Sequence, residues 1–121
     1  MNSKDIASTK SEKLIYLTTI GRKTGKAHTV ELWFASQGTR IFLSHEGDYT
    51  DWMKNLTTNK RVSAKIGSTS FDADARIVDD GSREMGKQAL YEKYYGSANQ
   101  KTIDDWFDLS TVIELTPLGR A

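Results

Sequence analysis

At 121 residues with one proline, no cysteine and 37% apolar residues, the chain has room for one folded domain and is neither collagen-like nor proline-rich and disordered. Its 17 Lys and Arg against 16 Asp and Glu leave a net charge of +1, so no global basic field exists to hold nucleic acid or an anionic membrane. Without cysteine, disulfides, thiolate zinc sites, cysteine-ligated iron–sulfur clusters and cysteine nucleophiles are all excluded.

The first 13 residues mix Lys4, Asp5, Lys10, Glu12 and Lys13 with serines and contain no apolar h-region, and no apolar run reaches the length of a membrane span. The expectation is a cytoplasmic protein with no transmembrane segment: a single domain over residues 1–121 in which 1–12 form a flexible N-terminal segment. Residues 14–20 are rich in β-branched and aromatic side chains and end at Gly21, the signature of a strand running into a turn. A second strand over 27–36, the Gln37-Gly38-Thr39 connection and a strand over 40–44 complete a meander. The apolar spacing 52, 53, 56 predicts a short helix capped by Thr50 or Asp51. Alternation over 61–67 and 71–78 around a Gly67–Ser70 turn predicts a hairpin with one wet face. Ser82 is placed to cap a helix running to about Tyr95 and stopped by Gly96. Residues 97–105 are polar with room for one more helix, Trp106 and Phe107 read as anchors, and 109–116 read as the last strand before Pro117. Six strands with two or three helices cannot supply βαβ crossovers, so the fold class is mainly β, a small antiparallel barrel.

The densest chemical signal is Gly21-Arg22-Lys23-Thr24-Gly25-Lys26, three cations and a hydroxyl in a glycine-bracketed turn between two strands. Glycines let backbone N–H groups approach a phosphate, Arg22 offers a planar fork and Lys23 a point charge. The bland alternative is a solvated hairpin tip. A P-loop is excluded, because the glycine spacing is one residue short, the magnesium-binding Ser or Thr is missing and a strand follows instead of a helix. Trp52 and Asn55, three residues apart on a helix, could stack on a planar ring and hydrogen-bond its edge, or could be core and cap. Tyr91, Tyr94 and Tyr95 cover adjacent faces of the long helix, with packing and ligand contact both open. Two histidines, His28 and His45, give no metal-ligand spacing, and no Gly-x-Ser-x-Gly elbow exists.

The order of these segments resembles the deazaflavin-dependent nitroreductase family over roughly residues 14 to 118. The resemblance rests on Leu17-Thr18-Thr19-Ile20-Gly21-Arg22-Lys23-Thr24-Gly25, Glu31-Leu32, the loop from Ser44 to Gly47, Trp52-Met53-Lys54-Asn55-Leu56, Ala75-Arg76 and Tyr94. It implies a six-stranded antiparallel split β-barrel related to FMN-binding pyridoxamine-phosphate-oxidase-like proteins. Coenzyme F420 would serve as hydride donor to a quinone, nitro compound or similar small organic acceptor. By the same resemblance, Arg22, Lys23, Thr24 and Gly25 with His28, Ser44 and His45 contact the cofactor. Trp52 and Asn55 lie beside its ring, and Tyr94, matching a tyrosine near the substrate, is the candidate catalytic residue, with the proton coming from it or from solvent. The chain departs from the family with His28 in place of an arginine, Glu31 in place of a proline, and His45-Glu46-Gly47 in place of a loop that often carries lysine. FMN, with one compact phosphate, is therefore the alternative cofactor. A non-catalytic flavin-, haem- or lipid-binding module is the alternative function. Split barrels commonly dimerise, and a homodimer is expected.

Overall fold

The computed structural model describes residues 12–21, 24–46, 51–96, 99–106 and 110–118. The elements in chain order are β1 (Leu14–Ile20), β2 (Ala27–Gln37), β3 (Arg40–Glu46), α1 (Asp51–Thr58), β4 (Arg61–Ile66), β5 (Thr69–Val78), α2 (Gly81–Tyr95), α3 (Gln100–Trp106) and β6 (Ser110–Pro117). The strands close into a barrel in the order β1-β2-β3-β6-β5-β4, every pair antiparallel. The six-stranded antiparallel barrel expected from the sequence is therefore present, with three helices among the described residues. Of the N-terminal segment 1–12, only Glu12 lies within the described residues.

Alternation explains the closure. In β1, Ile15, Leu17 and Thr19 are buried while Tyr16 and Ile20 are exposed, and β4 buries Val62, Ala64 and Ile66 on the same two-residue period. These side chains meet Phe34, Ile41, Leu43, Ala73, Ala75, Ile113 and Leu115 inside the barrel, and Met53 and Leu56 of α1 join the same core.

A second, smaller core lies outside the barrel wall. Ala35, Phe42, Val78 and Val112 face outward from β2, β3, β5 and β6, and Leu90 of α2 and Ile103 of α3 cover them. Gly86 allows the helix its close approach, since a Cβ built there would stand 2.7 Å from Phe42 Cδ1 and 2.9 Å from Val112 Cγ1. Charge fastens the same layer. Glu114 of β6, 6% exposed, pairs with Arg40 of β3, and its Oε1 accepts from Arg76 Nη2 of β5 at 3.3 Å. Arg40 also donates to Ser82 Oγ at 2.5 Å, tying the sheet to the start of α2. Lys87 of α2, 5% exposed, holds α3 through Asp104 at 2.7 Å and reaches Glu84 at 3.0 Å. Burial works against the charged amine, but these two carboxylates outweigh it and hold Lys87 above the usual lysine range.

Several boundaries differ from the sequence-based expectation, β2 and β3 running on to Gln37 and Glu46. Helix α2 begins at Gly81, one residue before Ser82, and is capped by Asp80, whose carboxylate accepts from Ser82 N at 2.9 Å; the Ser82 hydroxyl accepts from Arg40. That backbone hydrogen bond, followed by Arg76, holds the Asp80 carboxyl below the usual range. The β4–β5 turn occupies Gly67 and Ser68 alone, with Gly67 at φ +58°, so β5 begins two residues early. The polar stretch after Gly96 holds α3, the third of the two or three helices expected, while β6 begins at Ser110 and runs through Pro117. The Trp106 side chain and Phe107, expected as anchors, lie outside the described part of the structure.

Replacing Gly86 by Ala should destabilise the fold by about 1–3 kcal/mol, since the added methyl overpacks the helix–sheet contact. Urea denaturation of the two proteins at one temperature checks it.

Candidate functional site

Strand β2 changes partner midway. Its residues from Ala27 to Trp33 pair with β1, whereas Phe34 to Gln37 pair with β3. The first half of β2 and the end of β3 are thus not hydrogen-bonded to each other. The barrel wall is split at that point, beside the β1–β2 turn. Val30 and Leu32 on the inner face of β2 are only partly buried against the main core, and His28, on the same face, is exposed.

The β1–β2 turn is closed by backbone bonds from Gly21 N to Lys26 O at 2.8 Å and from Gly25 N to Gly21 O at 2.9 Å. Gly25 has φ +70°, a conformation that side-chain-bearing residues avoid. A Cβ on Gly21 would fall 2.9 Å from Thr24 Oγ1 and 3.5 Å from His28 Nε2, so the bare Cα opens onto a hydroxyl and an imidazole held side by side. The Thr24 hydroxyl also accepts from Lys26 N at 3.3 Å. Thr24, Gly25, Lys26 and His28 are all exposed. The structure therefore brings Thr24, Gly25 and His28 together, while Arg22 and Lys23, expected as the main cations, lie outside the described residues.

Helix α1 packs on β1 and carries Asn55 into the barrel at 3% exposure. Asn55 Nδ2 donates to Thr19 Oγ1 at 3.3 Å. Thr19 is 1% exposed and lies opposite His28 in the β1–β2 register, so this buried bond fixes α1 against the base of the turn. The sequence reading missed Thr19. Its signal is a polar residue at the third inward position of the run Ile15, Leu17, Thr19. The Trp52 side chain lies outside the described residues. His45 shares a face with Ile41 and Leu43 and so points toward the interior side of β3. Ser44 falls on the opposite face, with Phe42 and across from Val112. The two residues expected to act together are thus divided by the strand.

Tyr94 stands elsewhere. Its hydroxyl accepts from Phe34 N at 3.1 Å and lies 2.6 Å from Lys13 O and 2.9 Å from Phe34 O, either of which can take its one proton. It fills the end of the β1–β2 ladder, where a strand residue would otherwise pair. Its ring stacks on Trp33 at 4.3 Å and 12°, and burial pushes its phenol above the usual tyrosine range. From Lys13 to Thr19 is six residues of strand, roughly 20 Å. Within one subunit the structure does not bring Tyr94 to the turn, and the hydroxyl expected to give a proton is engaged with main chain.

The model of the F420H(2)-dependent quinone reductase family matches residues 2–110. The chain belongs to that family. Among solved structures it is similar to a conserved hypothetical protein from Mycobacterium tuberculosis, at 22% identity and a TM-score of 0.79 over 98% of this chain and 82% of that one. It is also similar to an F420-H2 dependent reductase, at 22% identity and a TM-score of 0.69 over 85% and 93% of the two chains. A domain-swapped dimer matches at 19% identity and a TM-score of 0.69 over 93% and 92%. At these identities the structures share the fold. The family is one of F420-dependent oxidoreductases, and the donor set at the turn fits such a cofactor: amine, imidazole, hydroxyl and a bare glycine suit the acidic tail. Among the described residues no group of three or more metal-ligating side chains forms, and no helix is long and apolar enough to cross a membrane.

Thr19→Val replaces the hydroxyl that accepts from Asn55 Nδ2 by a methyl group. A loss of about 1 kcal/mol in chemical denaturation is expected, with Thr19→Ser close to the parent.

Proposed function

We propose that this protein uses reduced coenzyme F420 to reduce a small organic acceptor of the quinone class, with nitro compounds as a further acceptor type. The family match carries this reading, and the exposed turn at the split in the barrel wall supports it. Bound reduced F420 supplies the hydride. The chain's part is to hold donor and acceptor in contact and to exclude alternatives.

In this reading Thr24, Gly25, Lys26 and His28, with Arg22 and Lys23 from the same turn, hold the phosphate and acidic tail through charge-assisted hydrogen bonds. Helix α1, registered by Asn55 on Thr19, presents Trp52 and Asn55 to the ring. Val30 and Leu32 supply apolar surface along the split. His45 lines the same end from β3. Because the Tyr94 hydroxyl is engaged by Lys13 and Phe34, Tyr94 acts by setting the position of Trp33, and the proton that follows hydride transfer comes from solvent.

We infer in addition that two copies pair. Tyr16 and Trp33, on the same outer face of β1 and β2, are 42% and 44% exposed, an aromatic surface that a partner subunit would cover. Light scattering on the purified protein tests this, with twice the chain mass expected.

Calorimetry with F420, FMN and FAD tests the cofactor reading, and F420 is expected to bind most tightly. Replacing both Arg22 and Lys23 by Ala should weaken F420 binding by more than about tenfold, since each charge-assisted bond contributes roughly 1.5–3 kcal/mol. The melting temperature should stay nearly constant, as is usual for surface substitutions. Equal affinity in the double variant would show that the turn does not hold the tail. Reoxidation of reduced F420 with menadione, followed by absorbance, tests turnover.

A further inference from the structure

Lys93, in the last turn of α2, has no place in this chemistry. Its Nζ is shielded from solvent and has no hydrogen-bond partner among the described residues. It lies 3.4 Å from the centroid of the Phe34 ring and 5.4 Å from that of Tyr94. The position follows from the partner exchange of β2: beyond Trp33 no strand pairs with its β1-facing edge among the described residues, the Tyr94 hydroxyl accepts from the Phe34 amide there, and Lys93 reaches over the Phe34 ring. An ammonium has three donors, and none is used among the described residues. The ring face offers it partial compensation, which is smaller than the hydration it gives up.

Two titratable groups surround it. Glu12, on the chain entering β1, attracts the ammonium and rests against Gly67 of the β4–β5 turn. Tyr94, on its own helix, is held by Lys13 and Phe34. Strand β2 contributes Phe34 and Trp33, neither of which titrates. Burial pushes the Lys93 amine down to about 8, and Glu12 opposes that effect.

We propose that Lys93 is a protonation-sensitive plug in the β1–β2 gap: the neutral amine seats over Phe34 and seals the edge of β2, whereas the ammonium favours leaving for water and opens it. The direction follows from linkage. With the folded value below the unfolded one, the unfolded chain binds more protons between about pH 8 and the ordinary lysine value. Stability therefore rises with pH across that window and is lost as pH falls through 8. Opening frees the Phe34 amide from Tyr94 and exposes the edge beside the Trp33–Tyr94 stack, at the end of the barrel away from the cationic turn.

The test is hydrogen exchange at the Phe34 amide, corrected for the intrinsic rate, together with a lysine 13Cε titration by NMR. In the parent, protection at Phe34 should rise by up to about tenfold between pH 6.5 and pH 9, because above pH 8 the closed state has lost the proton that the open state keeps, and each pH unit then shifts the opening equilibrium about tenfold. The 13Cε midpoint should lie near 8. Lys93→Met, neutral and of similar length, should show high protection with no rise. Lys93→Arg, always charged, should show low protection at both pH values. Glu12→Gln should lower the midpoint. Protection that stays flat in the parent, or the same rise in Lys93→Met, would overturn the proposal, as would a parent midpoint at the ordinary lysine value. Should Lys93→Met fail to fold, the Arg and Glu12 variants and the parent titration still decide it.

Discussion

The molecule depends on one feature of its hydrogen bonding: among the described residues β2, 11 residues long, is paired on one edge at a time. It spends its first seven residues on β1 and its last four on β3. A barrel closed at every rung would leave no entry for a planar ring. This barrel is closed in the order of its strands yet split beside β2. The split at one end lies next to the glycine-bracketed turn, and at the other end β2 passes beneath the end of α2. Each end is served by different chemistry. At the turn, exposed polar groups and a bare glycine suit an anion. At the far end, the Tyr94 hydroxyl takes the Phe34 amide and the Lys93 chain lies over the Phe34 ring.

Buried polar groups divide along the same line. Thr19 and Asn55 satisfy one another inside the barrel and fix α1 to the base of the turn. Glu114 meets two arginines outside the wall and fastens α2 to the sheet. Such contacts add little net stability, because desolvation offsets much of the attraction. Their consequence is registry: they decide where α1 and α2 sit, and so where the groups carried by those helices stand. Lys93 departs from this pattern: its shielded amine has no hydrogen-bond partner among the described residues and lies over the Phe34 ring.

Much of this was legible in the sequence. The inward run Ile15, Leu17, Thr19 and the alternation of Val62, Ala64 and Ile66 determine barrel strands through period alone, and β1 has the limits that its β-branched run marks. The cationic turn was legible because glycines and charges announce themselves locally. The rest depended on distant partners. Asp80 caps α2, which begins one residue before Ser82, and the Ser82 hydroxyl meets Arg40, some forty residues earlier. Tyr94 looks like a free phenol until Lys13 and Phe34 are brought against it by the barrel's closure. Ser44 and His45 were grouped by adjacency in a loop, although they fall in a strand whose period sends them to opposite faces. Membership of the F420H(2)-dependent quinone reductase family agrees with the resemblance read from the turn and the Trp52-to-Leu56 segment.

The central claim is that the cofactor occupies the turn end of the split, between β2, β3 and α1. Amide chemical-shift mapping during titration with F420 addresses this directly. The account predicts that the largest shifts fall on Gly21, Thr24, Gly25, His28, Leu32 and Asn55. It is contradicted if they fall instead on Lys13, Trp33, Phe34 and Tyr94 while the turn stays unchanged.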